Sequence, residues 1–298
     1  MQAASRIHRC PHWLLAAIGL LLCTFQARAD SGRHVLWSVQ GHSNVVYLMG
    51  SIHVLRQSDY PLEPALLAAY ASSQTLVMEI DLSELDSGDL QQQMLQAAML
   101  TDGRTLQDVL GNGQYQQAAT LAQQVGVPLE TLQQFKPWFV AESITQLQLM
   151  QLGFDPSAGI EMYFLQRART DRKTIRGLET AQDQIELFDS MPLDRQSRYL
   201  MASLGEAKTL PTQVDQMVKA WRRGDTAWFA AQMQKEFGDD PELYRSVLVA
   251  RNRKWLPKIE SFLKDSRNYL VIVGTGHLAG TDSVIEMLRR DGYAVAQQ

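Results

Sequence analysis

A mixed α/β fold is predicted, with a central sheet drawn from both ends of the chain and a large, mainly helical insertion between them. Three observations predict it. Val45-Val46-Tyr47-Leu48-Met49 and Tyr269-Leu270-Val271-Ile272-Val273 are apolar runs of strand length near opposite ends of the 298 residues. Each runs into the same four-residue pattern, Gly50-Ser51-Ile52-His53 and Gly274-Thr275-Gly276-His277. Between them the hydrophobic spacing is helical for most of its length, broken by Gly and Pro clusters but by no Pro/Ser-rich linker. Strands from the two ends sharing a sheet with helices around it is the layer architecture this order favours.

Taken in order, the chain opens with a secretory signal. Arg6 and Arg9 precede an apolar stretch over 14–22, and Ala27-Arg28-Ala29 is a small-residue cleavage site. Residues 1–29 are predicted to be removed, leaving 30–298 as one domain that is periplasmic or secreted, without a stable membrane anchor. Both cysteines, Cys10 and Cys23, leave with the signal, so no disulfide or thiolate remains. A chain this long can rest on its core alone. Three arginines and no acid leave too, taking the net charge from −4 to −7 with neutral histidines. That balance disfavours nucleic acid as a partner.

Residues 35–39 and 45–50 read as a hairpin around Gln40-Gly41-His42-Ser43-Asn44. A helix is predicted over 61–73, then a third strand over 75–80 carrying Glu79 at its end and expected to pair beside the first motif. Helical segments follow over 83–100, 105–110, 114–125, 129–135, 137–152 and 159–170. A short strand over 173–178 is followed by helix from Glu179, and 194–264 is again helical with breaks near Gly205, Gly224 and Gly238. The strand over 269–273, a helix over 281–290 and an edge strand over 293–296 complete the chain.

Four histidines follow the cleavage site: His34, His42, His53 and His277. Two of them have Gly three residues before; with glycine at about 7% of positions, about 0.3 such cases are expected by chance. Imidazole ligates metals and moves protons near neutral pH, and a strand end delivers it to the sheet edge where open α/β sheets hold ligands. A buried core histidine is the alternative for either one. Glu79 could be a metal ligand or a general base, or a buried acid paired with an arginine. Glu179 and Glu161 each sit at a predicted helix start, which by itself explains an acid. Arg251 could clamp a carboxylate or belong to a solvated face with Arg253 and Lys254. Gly274-Thr275-Gly276 lacks the residues of a phosphate loop, and no Gly-x-Ser-x-Gly elbow is present.

Met49-Gly50-Ser51-Ile52-His53, Val77-Met78-Glu79-Ile80-Asp81, Gly177-Leu178-Glu179-Thr180 with Gln184, Arg251-Asn252 and Val273-Gly274-Thr275-Gly276-His277-Leu278-Ala279-Gly280 occur in that order. In this the chain resembles the TraB/GumN family, which includes the TIKI metalloproteases and is itself similar to erythromycin-esterase-like (EreA) and heme-binding ChaN-like proteins. The resemblance implies a TIKI/EreA/ChaN-like fold and a metal-dependent, peptidase-like hydrolase. It implies His53, His277, Glu79 and Glu179 as ligands of a divalent metal, manganese, cobalt or zinc. His53, His277, Glu79 and Arg251 would act on a peptide or other small polar substrate, Glu79 as base and Arg251 orienting substrate or oxyanion. The alternatives are an exported non-catalytic protein that binds heme, a peptide or a glycan, and an accessory factor for polysaccharide assembly.

Overall fold

A computed structural model describes residues 32–81, 88–238 and 240–298. The predicted signal and the start of the predicted helix over 83–100 lie outside these residues. A six-stranded mixed sheet organises the domain, in the order β4-β3-β5-β2-β1-β6. The predicted hairpin forms: β1 (Leu36–Gln40) pairs antiparallel with β2 (Val45–Ser51), from Leu36 opposite Met49 to Gln40 opposite Val45. Its turn is tied down by Asn44, whose buried Nδ2 donates to the carbonyls of Phe262 (2.8 Å) and Arg267 (2.5 Å). The last strand, β6 (Val295–Gln297), closes the β1 edge antiparallel, as expected of an edge strand.

The other contacts are parallel. β5 (Tyr269–Gly274) lies between β2 and β3 (Thr75–Met78), and β4 (Thr174–Gly177) pairs on the far side of β3. This corrects the expectation that the third strand would sit beside the first motif. One edge of β2 is taken by its hairpin partner. The other takes β5, whose unbroken apolar run is buried on both faces and suits the sheet centre. β3 is therefore displaced one strand outward, and Glu79 comes to lie next to the second motif.

The helical middle is interrupted by β4, the short strand predicted over 173–178. Before it come α2 (Gly88–Ala98), α3 (Leu106–Gln124), α4 (Pro137–Gln151) and α5 (Ile160–Thr170), and α1 (Pro64–Ser72) precedes β3. After β4 come α6 (Ala181–Asp189), α7 (Leu193–Glu206), α8 (Leu210–Arg222), α9 (Thr226–Phe237), the short α10 (Pro241–Tyr244) and α11 (Ala250–Leu263). The two predicted helices over 105–110 and 114–125 adjoin as α3 with a kink at Gly111, where φ is 74°. Residues Leu129–Leu132 form only a 3-10 turn. Leu106, Leu110, Ile144, Leu200 and Leu204 give α3, α4 and α7 a core of their own, separate from the one around the sheet. Among the described residues no helix is long and apolar enough to cross a membrane.

The motif glycines are not there to make a sharp turn. Neither has a positive φ, and Gly274 sits at φ −50°, ψ 136°, open to any residue. What they permit is close approach. A Cβ on Gly50 would stand 2.7 Å from Thr275 Oγ1 and 3.2 Å from its Cα, where β2 meets the loop after β5. Gly50→Ala is expected to destabilise the fold by about 1–3 kcal/mol through overpacking. Gly205→Ala, in α7 with open space around it, should be neutral or gain up to about 1 kcal/mol from helix propensity. Urea unfolding of the two variants checks both signs.

Candidate functional site

Four parallel strands, β4, β3, β5 and β2, end at the same edge, and each delivers a polar side chain there. Met78 is opposite both Gly177 and Ile272, and Ser51 is opposite Gly274. Glu79 follows β3, Glu179 follows β4, His277 lies in the turn Thr275–Leu278 after β5, and His53 follows β2. The expected residues His53, Glu79, Glu179, Arg251 and His277 are thus brought together at the carboxyl edge, the place where open α/β sheets hold ligands. Glu179 is not there to cap α6. Thr180 and Asp183 form a reciprocal capping box for that helix, which frees Glu179 to turn inward.

Arg251, on the first turn of α11, is the hub. Its Nη2 bridges the two carboxylates, donating to Glu79 Oε2 at 2.5 Å and Glu179 Oε1 at 2.6 Å. Nε donates to Glu179 at 3.1 and 3.2 Å, and Nη1 to the Val247 carbonyl at 3.2 Å and His277 Nε2 at 3.1 Å. A guanidinium has five N–H donors, and these contacts account for all of them. The side chains are buried: Arg251 is 13% exposed, Glu79 11% and Glu179 6%. Gln184 Nε2 donates to both carboxylates at 3.1 Å, Gly274 N to Glu79 Oε1 at 2.7 Å, and Trp255 Nε1 to Glu179 Oε2 at 3.0 Å. Burial would raise the Glu79 carboxyl. The contacts with His277 and Arg251, helped by His53 and the Gly274 N–H, more than offset it and hold its pKa at about 2.

The protonation of His277 follows from its neighbours. Asn252 Nδ2 donates to the Asp282 carbonyl at 2.8 Å, which turns its Oδ1 toward His277 Nδ1, 2.6 Å away. Nδ1 therefore carries the proton, and the Nε2 lone pair accepts from Arg251. The ring lies against Trp255 with centroids 4.4 Å apart. Burial, with Arg251 nearby, drives its pKa down to about 3 against the pull of Glu79, so the ring is neutral.

His53 has the opposite setting. Its side chain is 71% exposed, and Nδ1 meets Glu161 Oε1 at 2.7 Å, a carboxylate only 10% exposed. Ser51 Oγ donates to the same oxygen in a short hydrogen bond, while Glu161 Oε2 is buried with no hydrogen-bond partner among the described residues. The Glu161 charge dominates and lifts His53 to about 9. The fold brings α5 up to β2 for this contact: Ile160 N donates to the Ile52 carbonyl at 3.1 Å, and a Cβ on Gly159 would lie 2.1 Å from the His53 carbonyl oxygen. His53 Nε2 faces the backbone floor at Gly274. A Cβ placed on that glycine would stand 3.8 Å from His53 Nε2, 3.7 Å from His277 Cδ2 and 3.3 Å from Glu79 Oε1. The floor is open because residue 274 has no side chain.

A divalent metal is what the resemblance implies for these donors. Both oxygens of Glu79 and both nitrogens of His277 already have protein partners, and His277 turns Cδ2 rather than Nε2 to the floor. Arg251 stands among Glu79, Glu179 and His277. Among the described residues no group of three or more His, Cys, Asp or Glu is arranged to hold a metal ion. The donors as placed do not fit a resident divalent cation. The expected substrate-orienting role of Arg251 meets a similar obstacle, since its donors are spent internally.

Sequence reasoning passed over several members. Glu161 was readable only as a helix-start acid, because its partner lies 110 and 108 positions away in Ser51 and His53. Asn252 entered only as the neighbour of Arg251, and Trp255 did not enter. Their i, i+1, i+4 spacing on one helix was the available signal.

A family model described as the TraB/PrgY/gumN family matches residues 35–297. Among similar proteins is YbaP of Escherichia coli (strain K12), described as uncharacterized, 25% identical over 263 residues that cover 87% of this chain and 94% of that protein. YbaP of Shigella flexneri gives the same values. An uncharacterized protein of Treponema pallidum (strain Nichols) is 20% identical over 270 residues, 86% of this chain and 80% of its own. No solved structure matches.

Two outcomes follow from this geometry. Arg251→Ala strands two buried carboxylates and should cost about 3–5 kcal/mol in denaturant unfolding. Stability should also fall as pH drops from about 6.5 toward 3, because the unfolded chain protonates His277 and the native state does not. His277→Gln should flatten the part of that slope above about pH 5, where carboxylates contribute little. The raised His53 acts in the other direction: its contribution is complete below about 6.5 and is lost as pH rises through about 9.

Proposed function

This chain belongs to the TraB/PrgY/gumN family, and from that premise we propose that it is an exported hydrolase that cleaves an amide or ester bond in a peptide or another small polar substrate. The observation that carries the reading is the His53–Glu161 pair at 2.7 Å, with an exposed ring and Nε2 facing the glycine floor. Export rests on the signal features over 1–29 and the substrate class on the resemblance.

The pair has the arrangement that general acid–base catalysis needs. Glu161 fixes the Nδ1–H tautomer, so in the neutral ring the lone pair is on Nε2 and points to the open side. A water placed there gives its proton to Nε2 as its oxygen bonds to the substrate carbonyl carbon. The imidazolium then returns the proton to the departing nitrogen or oxygen as that bond breaks. Glu161 and the ionised Glu79 both favour the imidazolium, which makes the ring a strong base with a small neutral fraction at pH 7. The Arg251 network holds Glu79 and His277 in place beside the same space over Gly274.

Hydrolysis of a panel of fluorogenic peptides and aryl esters tests the reading. His53→Ala should lower kcat/KM by about 10²–10⁴-fold. In the wild type kcat/KM should rise with pH through a midpoint near 9 and level off only above it. Glu161→Gln should move that limb down toward the ordinary histidine value of about 6.5. Unchanged hydrolysis in His53→Ala, or a limb indifferent to Glu161→Gln, would refute the assignment.

A further inference from the structure

We infer that the Arg251 guanidinium is the built-in cation of this site, and that Glu79, Glu179 and His277 form a latent divalent-cation site that this side chain keeps closed. The inference concerns what neutralises the site and stands apart from whether the cleft hydrolyses anything.

Two carboxylates converge at the ends of β3 and β4, nearly excluded from water, and like charges so placed need a positive partner. Arg251 supplies it in the manner of a bridging ion. One nitrogen, Nη2, lies 2.5 Å from Glu79 Oε2 and 2.6 Å from Glu179 Oε1, while Nη1 lies 3.1 Å from the lone pair of His277. Two oxygens and one imidazole nitrogen are a hard, mixed donor set of the kind manganese, cobalt or zinc takes. Those ions sit about 2.0–2.2 Å from such ligands, a volume the guanidinium already fills.

Displacing Arg251 is opposed from several sides. Its Cζ lies 4.8 Å from the Trp255 ring centroid, and Nη1 also holds the Val247 carbonyl. That carbonyl belongs to Arg245–Val249, a π-helical turn directly before α11, of a kind that recurs at functional sites. The cation is covalently attached, five-fold hydrogen-bonded and packed on an aromatic face, so a free ion must compete with a partner that never leaves.

The full chain purified without chelator can be examined by elemental analysis and by calorimetric titration with MnCl₂, CoCl₂ and ZnCl₂. The wild type should retain under about 0.1 equivalent of each metal and show no saturable one-to-one binding up to about 100 μM. Arg251→Met, which keeps an apolar stem over Trp255 but removes the charge, should gain one-to-one binding at least about tenfold tighter than wild type. Adding Glu79→Gln to that variant should abolish the gain. Wild-type protein that holds about one equivalent and loses it in His277→Ala overturns the inference, as does a folded Arg251→Met that binds no better than wild type. Should Arg251→Met not fold, the wild type decides alone: a melting temperature unmoved by each metal supports the built-in cation, and a saturable rise overturns it. Activity enters neither arm, so this outcome and the fate of the His53 assignment are read separately.

Discussion

One guanidinium between two buried carboxylates is the interaction on which the functional edge of this domain depends. Arg251 joins α11 to the ends of β3, β4 and β5 through Glu79, Glu179 and His277. No pair within the set is self-sufficient. Each carboxylate alone would carry an unpaired buried charge, and the arginine alone would keep only the Val247 carbonyl and leave four of its five donors without acceptors. The network accordingly fixes where three chain segments end, and that in turn shapes the floor over Gly274.

The two Gly-x-x-His motifs show how environment divides one pattern into two chemistries. Both histidines follow strands at the centre of the sheet, and both glycines allow close approach, Gly50 of the Thr275 backbone and Gly274 of the Glu79, His277 and His53 side chains. His277 is enclosed, with Asn252 at one nitrogen and Arg251 at the other, and burial keeps it neutral. His53 is open on one side and backed by the Glu161 carboxylate, which favours its charged form. Neighbouring groups have pushed the two pKa values apart, a separation that characterises acid–base sites. The open ring is the one able to exchange protons with a substrate, and the closed one belongs to the scaffold under it.

Several features were legible before any tertiary contact was known. The hairpin, the buried strands, the edge strand and most of the helices follow from local periodicity and from Gly, Pro and Asn punctuation. The strand-end positions of His53, Glu79 and His277 were equally readable. Less accessible were the neighbours. The displacement of β3 by β5 depended on competition for one strand edge. The inward turn of Glu179 depended on Thr180 and Asp183 taking over the cap that an acid there would otherwise serve. Glu161 looked like any first-turn acid until Gly159 let its helix touch the backbone of His53.

By itself the sequence determined which side chains stand at strand ends, because strand and helix periods are properties of a few adjacent residues. It also determined the family, since short motifs in a set order span the chain. Only the tertiary structure decided what those side chains are bonded to. Whether Glu79 faces a metal or a guanidinium, and whether a histidine is charged or neutral, depends on partners up to 198 positions away. Electrostatics and desolvation act through space, and in this domain the space around the site is filled by Arg251.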